Sequence, residues 1–432
     1  MNGPSPPPPP PVGEGSIVSR FATFTVNVYV TVLRIALRNT LRQRRRSGVA
    51  ILAIAFGVIA MMLAGGFIEW IFWASREGTA VTQIGHIQVV KPGYHRDGQS
   101  DPFAYLLPAS VPVVFSALER DPDIRAIAPR LYVNGLISHG DSTLTFLAMG
   151  VDPARDPSLL YLIIPEGEKL KPDDPEGILI GTGLAANLGV GVHDRVVLLA
   201  NTASGGIHAV EARIQGLAST SMKAYDDTML WVPIELARRL VRVSGAHVWV
   251  VSLHDTARTD AVHARLVGPL SGFEVTPWHR LADFYNKTVQ LLSRQIDVVK
   301  LIIATIILIS ITNTMTMNVM ERTVEIGTAM ALGARRRRVL GLFLVEGTAL
   351  GALGGLLGIV IGYALAELIS YVGIPMPPSP GMSRGFTAAI IITPQIVVQA
   401  LALAVVTTLL ASLYPAWRAS RLVIVDALRR NR

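Results

Sequence analysis

Few residues in this sequence have the types and spacing of a chemical site, and each such string can be weighed on its own terms. Gly181-Thr182-Gly183-Leu184-Ala185-Ala186 follows an apolar run at 178–180 and has the Gly-x-Gly-x-x-Ala spacing with which a strand-to-helix turn cradles a pyrophosphate. The acid that would hold a ribose about 20 residues on is missing. Residues 197–202 are uncharged, so the string reads as a tight turn opening a helix. Gly381-Met382-Ser383-Arg384-Gly385 has the Gly-x-Ser-x-Gly spacing of a hydrolase nucleophile, but it lies in a short Pro/Gly-rich loop rather than between a strand and a helix. All nine histidines fall between His86 and His279, and none are paired at His-x-x-x-His spacing, so they read as scattered surface and core residues rather than a metal site. With 0 cysteines there are no disulfides and no thiolate ligands. No Gly-x-x-x-x-Gly-Lys-Ser/Thr string occurs, so the chain has no visible means of gripping ATP phosphates. We expect no catalytic, cofactor-binding or metal-binding residues.

One charged cluster remains. Glu321, Arg322 and Glu325, with the arginines at 335–338, flank the apolar Ile326, Met330 and Leu332, and Gly327 and Gly333 break the run. A merely basic loop at a membrane surface explains the arginines. It explains neither the glutamate pair nor the glycine breaks. A short helix able to plug into a soluble partner explains all three.

The elements that would position this cluster are membrane helices. Half of the 432 residues are hydrophobic and only 16% are charged, and the mean hydropathy is +0.44; so much apolar surface calls for lipid. Spans are expected at 48–73, 298–320, 339–372 and 390–415, each long enough to cross a hydrocarbon core. The first lacks a cleavage site and carries Trp70 and Trp73 at its outer end, so it is an anchor. The second bears Thr312, Asn313, Thr314, Thr316 and Asn318, as expected of a helix buried among others. In the third, Gly347, Gly351 and Gly355 are spaced by four, as are Gly358 and Gly362, which predicts a seam for close helix packing. Pro415 is expected to end the fourth.

Orientation follows from arginine. The segments 1–46, 321–338 and 418–432 together hold seventeen arginines and four acids, a net of +13 in a chain of net +8, leaving −5 for the remainder. The positive-inside rule places both termini and the short middle loop at 321–338 in the cytoplasm and the large region at 74–283 outside. The basic residues border apolar spans and accompany no recognition fold, so the high charge does not point to nucleic acid. Residues 1–20 read as a disordered Pro-rich tail, 21–47 as an amphipathic helix on the membrane surface, and 416–432 as a basic inner tail. A short outer loop occupies 373–389.

The outer region mixes strands and helices. Strands are expected at 84–90, 178–180, 196–200, 209–216, 248–253 and 273–275, with a hairpin of 131–138 and 143–149 turning at His139-Gly140-Asp141 and helices at 111–119, 233–241 and 259–267. The fold class is therefore an α-helical membrane protein of four spans with a large α+β domain inserted between the first two. The stalk at 284–297 is amphipathic and continuous with the second span. Lys300, Glu69, Glu346 and Glu367 are the few strong charges in or near the spans and sit towards their ends, which argues against an ion or small-solute channel.

ERTVEIGTAMALGARRRRVLGLFLVEGTALGALGGLLGIVIG at 321–362 and LYPAWRASRLVIVDALRRN at 413–431 resemble the permease signature of the MacB, LolC/LolE and FtsX group of ABC transporters. GHIQVV at 85–90, MGVDP at 149–153 and ILIGTGLAANLGVGVHDRVVLL at 178–199 look like the lipoprotein-releasing (LolC/LolE) side of that group. The resemblance covers nearly the whole chain. It implies a permease subunit, not an enzyme, in the bacterial inner membrane, with ATP and Mg on a separate cytoplasmic ABC ATPase dimer. Glu321, Arg322, Glu325, Ile326, Gly327, Leu332, Gly333 and Ala334 would then couple to the ATPase, and a second copy or a paralogous permease would complete the membrane dimer. Mechanotransmission to the periplasmic domain, for lipoprotein or lipid release, is the implied function. The alternatives are MacB-like efflux of peptides or drugs, although a fused ATPase like that of MacB is lacking, and FtsX-like signalling to cell-wall hydrolases, whose outer domain is much smaller. Residues 201–206 form only a short turn where LolC has a long chaperone-capturing loop, so a periplasmic chaperone would have to dock elsewhere.

Overall fold

A computed structural model describes residues 44–98, 100–108, 118–220, 222–378, 382 and 385–422. The Pro-rich tail, the amphipathic helix up to residue 43, most of the helix expected at 111–119, the serine of the Gly-x-Ser-x-Gly string and the end of the basic tail lie outside them. The chain forms two compact units, one of residues 70–292 with 373–388 and one holding the rest.

The second unit is helical. Among the described residues four helices are long and apolar enough to cross a membrane: α1 (Arg44–Glu77), α5 (Asp283–Glu321), α7 (Arg336–Val372) and α8 (Pro394–Ser420), numbered with the shorter helices below. Between α5 and α7 lies the nine-residue α6 (Thr323–Ala331). The bundle core takes Ile54, Val58 and Met62 from α1, Ile307, Ile311 and Met315 from α5, Leu350 from α7 and Ala404 and Ala411 from α8.

Pro415 does not end the fourth span, which runs on to Ser420 with Pro415 buried inside it. A helical proline has no N–H to offer the carbonyl four residues back, here Ala411. That carbonyl accepts a hydrogen bond from Thr312 Oγ1 of α5 at 3.1 Å, so the neighbouring helix replaces the missing donor. Sequence reasoning about one helix could not see this.

The first unit is built on a ten-stranded sheet. In chain order its strands are β1 (Ile87–Val90), β2 (Ile124–His139), β3 (Ser142–Val151), β4 (Ile163–Gly167), β5 (Gly177–Gly181), β6 (Arg195–Asn201), β7 (Ile207–Ser219), β8 (Met229–Pro233), β9 (Val248–Leu253) and β10 (Glu274–Pro277). Helices α2 (Thr182–Leu188), α3 (Ile234–Val241) and α4 (Thr259–Val267) pack against it. The spatial order is β10-β1-β9-β2-β3-β8-β5-β7-β4, with β6 paired to β2 and β7. Only β3 with β8 and β5 with β7 run parallel, as an α+β rather than a doubly wound arrangement requires. Hydrophobic cores form on this sheet around Trp249, Val251 and Val262, around Phe146, Ile180, Leu230 and Leu240, and around Met149, Leu179 and Trp231.

The hairpin of β2 and β3 pairs His139 with Ser142, leaving Gly140 and Asp141 as a two-residue turn in which Gly140 has φ 55°. A positive φ is what such tight hairpins need at this position. A small ribbon of β11 (Ile374–Met376) and β12 (Phe386–Ala388) completes this unit, and Phe386 stacks on Trp70 at 5.5 Å.

Candidate functional site

The charged cluster sits where α5, α6 and α7 meet. Glu321 closes α5 and is ion-paired with Arg46 of α1. Arg322 reaches Glu325 of α6 at 3.3 Å and Glu346 of α7 at 3.4 Å, and Glu346 is buried. The junction is therefore tied by charge to two membrane helices. Beneath it, Thr323, Ile326 and Gly327 are buried, and Ile326 packs with Val319, Val339, Phe343, Ala416 and Ala419.

That packing divides the residues singled out from sequence. Ile326 and Gly327 anchor α6 to the bundle and are not available to a soluble partner, because the apolar face of a nine-residue helix is used up against α7 and α8. Gly333, at φ 94°, is the left-handed residue that stops α6. Its N–H bonds to Met330 O at 3.0 Å and the Ala334 N–H to Ala329 O at 3.0 Å, the paired bonds of a Schellman motif. Leu332, just before this stop, is 85% exposed. Glu325 and the arginines at 335–338 are exposed around it. The arrangement presents one apolar side chain within a charged collar, on a helix whose own fold does not need that side chain.

The glycines of α7 serve two neighbours rather than one. A Cβ on Gly347 or Gly351 would collide with Ser412 or Thr408 of α8, and one on Gly355 would lie 2.8 Å from Leu401. Gly358 and Gly362 turn instead to α1, where a Cβ would meet Val58 at 2.7 Å and Met62 at 3.1 Å. Gly354, absent from the expected seam, belongs to this second face, 2.7 Å from Ile54. It was visible in the sequence as the start of a 354-358-362 spacing. The hydroxyls facing the glycines are satisfied on their own helix, Ser412 Oγ donating to Thr408 O at 2.7 Å and Thr408 Oγ1 to Val405 O at 3.0 Å.

In the sheet unit, the imitation of a dinucleotide fingerprint is a packing device. Gly181 and Gly183 let the backbone and carboxylate of Asp226 and Asp227 approach closely, which would repel a phosphate. Among the described residues no cluster of histidines and acids could hold a metal ion. Sequence reasoning missed a fully buried ion pair, in which Arg130 donates from Nε and Nη2 to Asp156 at 2.6 and 3.0 Å and from Nη1 to Gln83 O at 2.8 Å. Burial pushes the Asp156 carboxyl up, but the Arg130 charge together with hydrogen bonds from Arg130 and Ser158 outweighs this and holds it below its usual range. An open apolar cleft of about 540 Å³ is lined by Leu136, Phe146, Leu147, Leu199 and Ile207.

Comparison with known proteins matches residues 47–268, more than half the chain, to the MacB-like periplasmic core domain and residues 298–424 to the FtsX-like permease C-terminal family. The lipoprotein-releasing system transmembrane protein LolC of Xylella fastidiosa is 27% identical over 331 residues, 72% of this chain and 78% of that protein. An uncharacterized ABC transporter permease, YvrN of Bacillus subtilis, is 38% identical over 117 residues, 27% of this chain but only 25% of that protein. The periplasmic region of MacB from Actinobacillus actinomycetemcomitans is a structural neighbour at 12% identity and TM-score 0.34, covering 51% of this chain and 97% of its own. The first match runs from α1 through most of the sheet unit and the second covers most of α5 and all of α6 to α8, and the chain belongs to the MacB/LolC/FtsX-type ABC transporter permeases.

Proposed function

We propose that this chain is the membrane subunit of an ATP-driven transporter of the inner membrane, which passes the motion of a cytoplasmic ABC ATPase dimer to a periplasmic domain at 74–283 for release or export of a lipoprotein or lipid. ATP and Mg belong to the ATPase, and a second permease copy or a paralogue completes the membrane dimer. The observation that carries the coupling role is Leu332. A leucine exposed to this degree, held on a helix clamped to α1, α5 and α7 by charge and packing, is what a groove on a soluble partner would seat. Glu321, Arg322, Ile326 and Gly327 then transmit force rather than touch the partner, and the glycine faces keep α7 rigid against α1 and α8. The apolar cleft and the long match to LolC favour an acylated cargo over a polar one.

Charge reversal at Glu321 would break the internal pair with Arg46 and so confuse docking with folding. Leu332→Asp avoids this. Co-expressed with its cognate ATPase, this variant should insert normally yet lose co-purification of the ATPase and cargo-dependent ATP hydrolysis. Undiminished co-purification would remove Leu332 from the interface, and ATP-independent release of a labelled lipoprotein from proteoliposomes would sink the transport reading itself.

A further inference from the structure

We infer that the end of the bundle where α7 begins and α8 finishes binds an anionic phospholipid, with the phosphate at Arg418 and Arg421 and an acyl chain along the outward face of α8. Val406, Leu410, Leu413 and Trp417 fall within about 30° of one line down this helix. All four are exposed, Leu413 at 45% and Val406 at 53%. The buried Ala404, Thr408, Ala411 and Pro415 lie on the opposite side. From Val406 to Trp417 the rise is about 16 Å, half of a hydrocarbon core of about 30 Å, so the stripe is as long as one leaflet is deep. It ends on tryptophan, the residue type that settles at headgroup level.

Any lipid could cover the apolar part, and the cations narrow the choice. Arg421 follows the last helical residue and places its guanidinium 4.6 Å from the centre of the Trp417 ring. The negative end of the helix would draw a cation to its free carbonyls. Lying over the ring instead keeps the charge at headgroup level, and stacking leaves the N–H edge of the guanidinium free for phosphate oxygens. Arg418 is exposed in the last turn. Among the described residues neither arginine forms an ion pair, and neither do Arg336, Arg337 and Arg338 at the start of α7. Arg46 and Arg322, by contrast, are matched to Glu321, Glu325 and Glu346. The two helix ends are neighbours, since Val339 and Phe343 of α7 pack with Ala416 and Ala419 of α8.

These five arginines thus stand without an acid beside an apolar stripe one leaflet long. A headgroup of net negative charge suits both features. A zwitterionic one brings its own cation against the arginines. The inference rests on α8 being a membrane span and not on the cargo or on Leu332.

Brominated acyl chains quench only the tryptophans they touch, so Trp417 can itself report the lipid. In nanodiscs of phosphatidylcholine holding the full chain and a minor share of brominated phosphatidylglycerol, the emission that Trp417→Phe removes should be quenched well beyond the level given by the same share of brominated phosphatidylcholine. The emission that Trp73→Phe removes, from an exposed ring at the end of α1 away from its arginines, should show no such preference. Arg418→Gln and Arg421→Gln change exposed side chains and should each lower the preference at Trp417 about fivefold, the factor for about 1 kcal/mol per arginine near anionic lipid. Equal quenching of Trp417 by the two lipids, or a preference unmoved in the double variant, overturns the site. So does a preference abolished by excess inorganic phosphate, which would assign the arginines to a free anion. Lost co-purification of the ATPase with the preference intact would assign them to that partner instead. If the preference is absent while the ATPase still co-purifies, the lipid site fails alone and the transporter reading stands.

Discussion

At the scale of residues, His86 and His247 show how burial fixes a protonation state. Nδ1 of His86 accepts the Leu253 N–H at 3.2 Å and Nδ1 of His247 the Tyr132 N–H at 3.1 Å, so each ring uses a nitrogen that protonation would turn into a second donor facing a donor. Burial pushes both down to about 4 from the ordinary 6.5. Protonation then favours the unfolded chain, in which histidine is basic near pH 6.5. The stability held above that value is lost as the pH falls toward 4. Between pH 7 and pH 5 the loss is about 2 kcal/mol per ring. Tryptophan-monitored unfolding of the full chain in detergent should show it, and His86→Asn or His247→Asn should roughly halve the pH-dependent part whatever either does to the baseline. A profile flat between pH 7 and 5 would mean that water reaches both rings. Nothing in the sequence sets these two histidines apart from the other seven, because burial by strands distant in the chain is not a local property.

At the scale of elements, legibility tracks how local the determining physics is. The strand expected at 248–253 is β9 as drawn, and 259–267 is α4, because alternation and helical periodicity are written in consecutive residues. β8 and β4 went unseen for opposite reasons: Met229–Pro233 is buried throughout and so shows no alternation, while Ile163–Gly167 is an exposed edge strand carrying Pro165. The glycine seam was legible as spacing, but its division between α8 and α1 depends on which helix lies on which side. Two substitutions test these contacts. Gly351→Leu with Gly355→Leu should leave α7 able to insert, since leucine favours both helix and lipid, yet separate it from α8. Loss of ATPase-stimulated activity at normal membrane level is expected, and full activity would mean these glycines face lipid. Thr312→Val should cost about 0.6 kcal/mol by stranding the Ala411 carbonyl, but little in a Pro415→Ala background, where the helix supplies its own N–H. An equal cost in both backgrounds would show that the threonine does not serve the proline gap.

At the scale of the whole molecule, the segregation of charge has a consequence that no contact within the chain reveals. The segments 1–46, 321–338 and 418–432 carry a net of +13 while the rest of the chain carries −5, and they border the N-terminal ends of the first and third candidate spans and the C-terminal ends of the second and fourth. Moving an arginine to the middle of a bilayer costs roughly 2.5 to 3.5 kcal/mol. The four consecutive arginines at 335–338 therefore resist translocation far more strongly than the sheet domain, which has no comparable run. The orientation that leaves them inside also places the turn of the β2–β3 hairpin outside, because one span separates them from it along the chain. Single cysteines can read this out. Asp141→Cys, exposed at that turn, should react with a membrane-impermeant maleimide on intact spheroplasts, and Arg335→Cys only after detergent is added. Keeping three of the four arginines in the second variant preserves the bias being measured. The inverse labelling would put the arginines outside and the sheet domain in the cytoplasm, and Leu332 could then meet no cytoplasmic ATPase. Labelling of both sites on intact spheroplasts would mean that an odd number of spans does not separate them, contrary to a membrane-crossing α5.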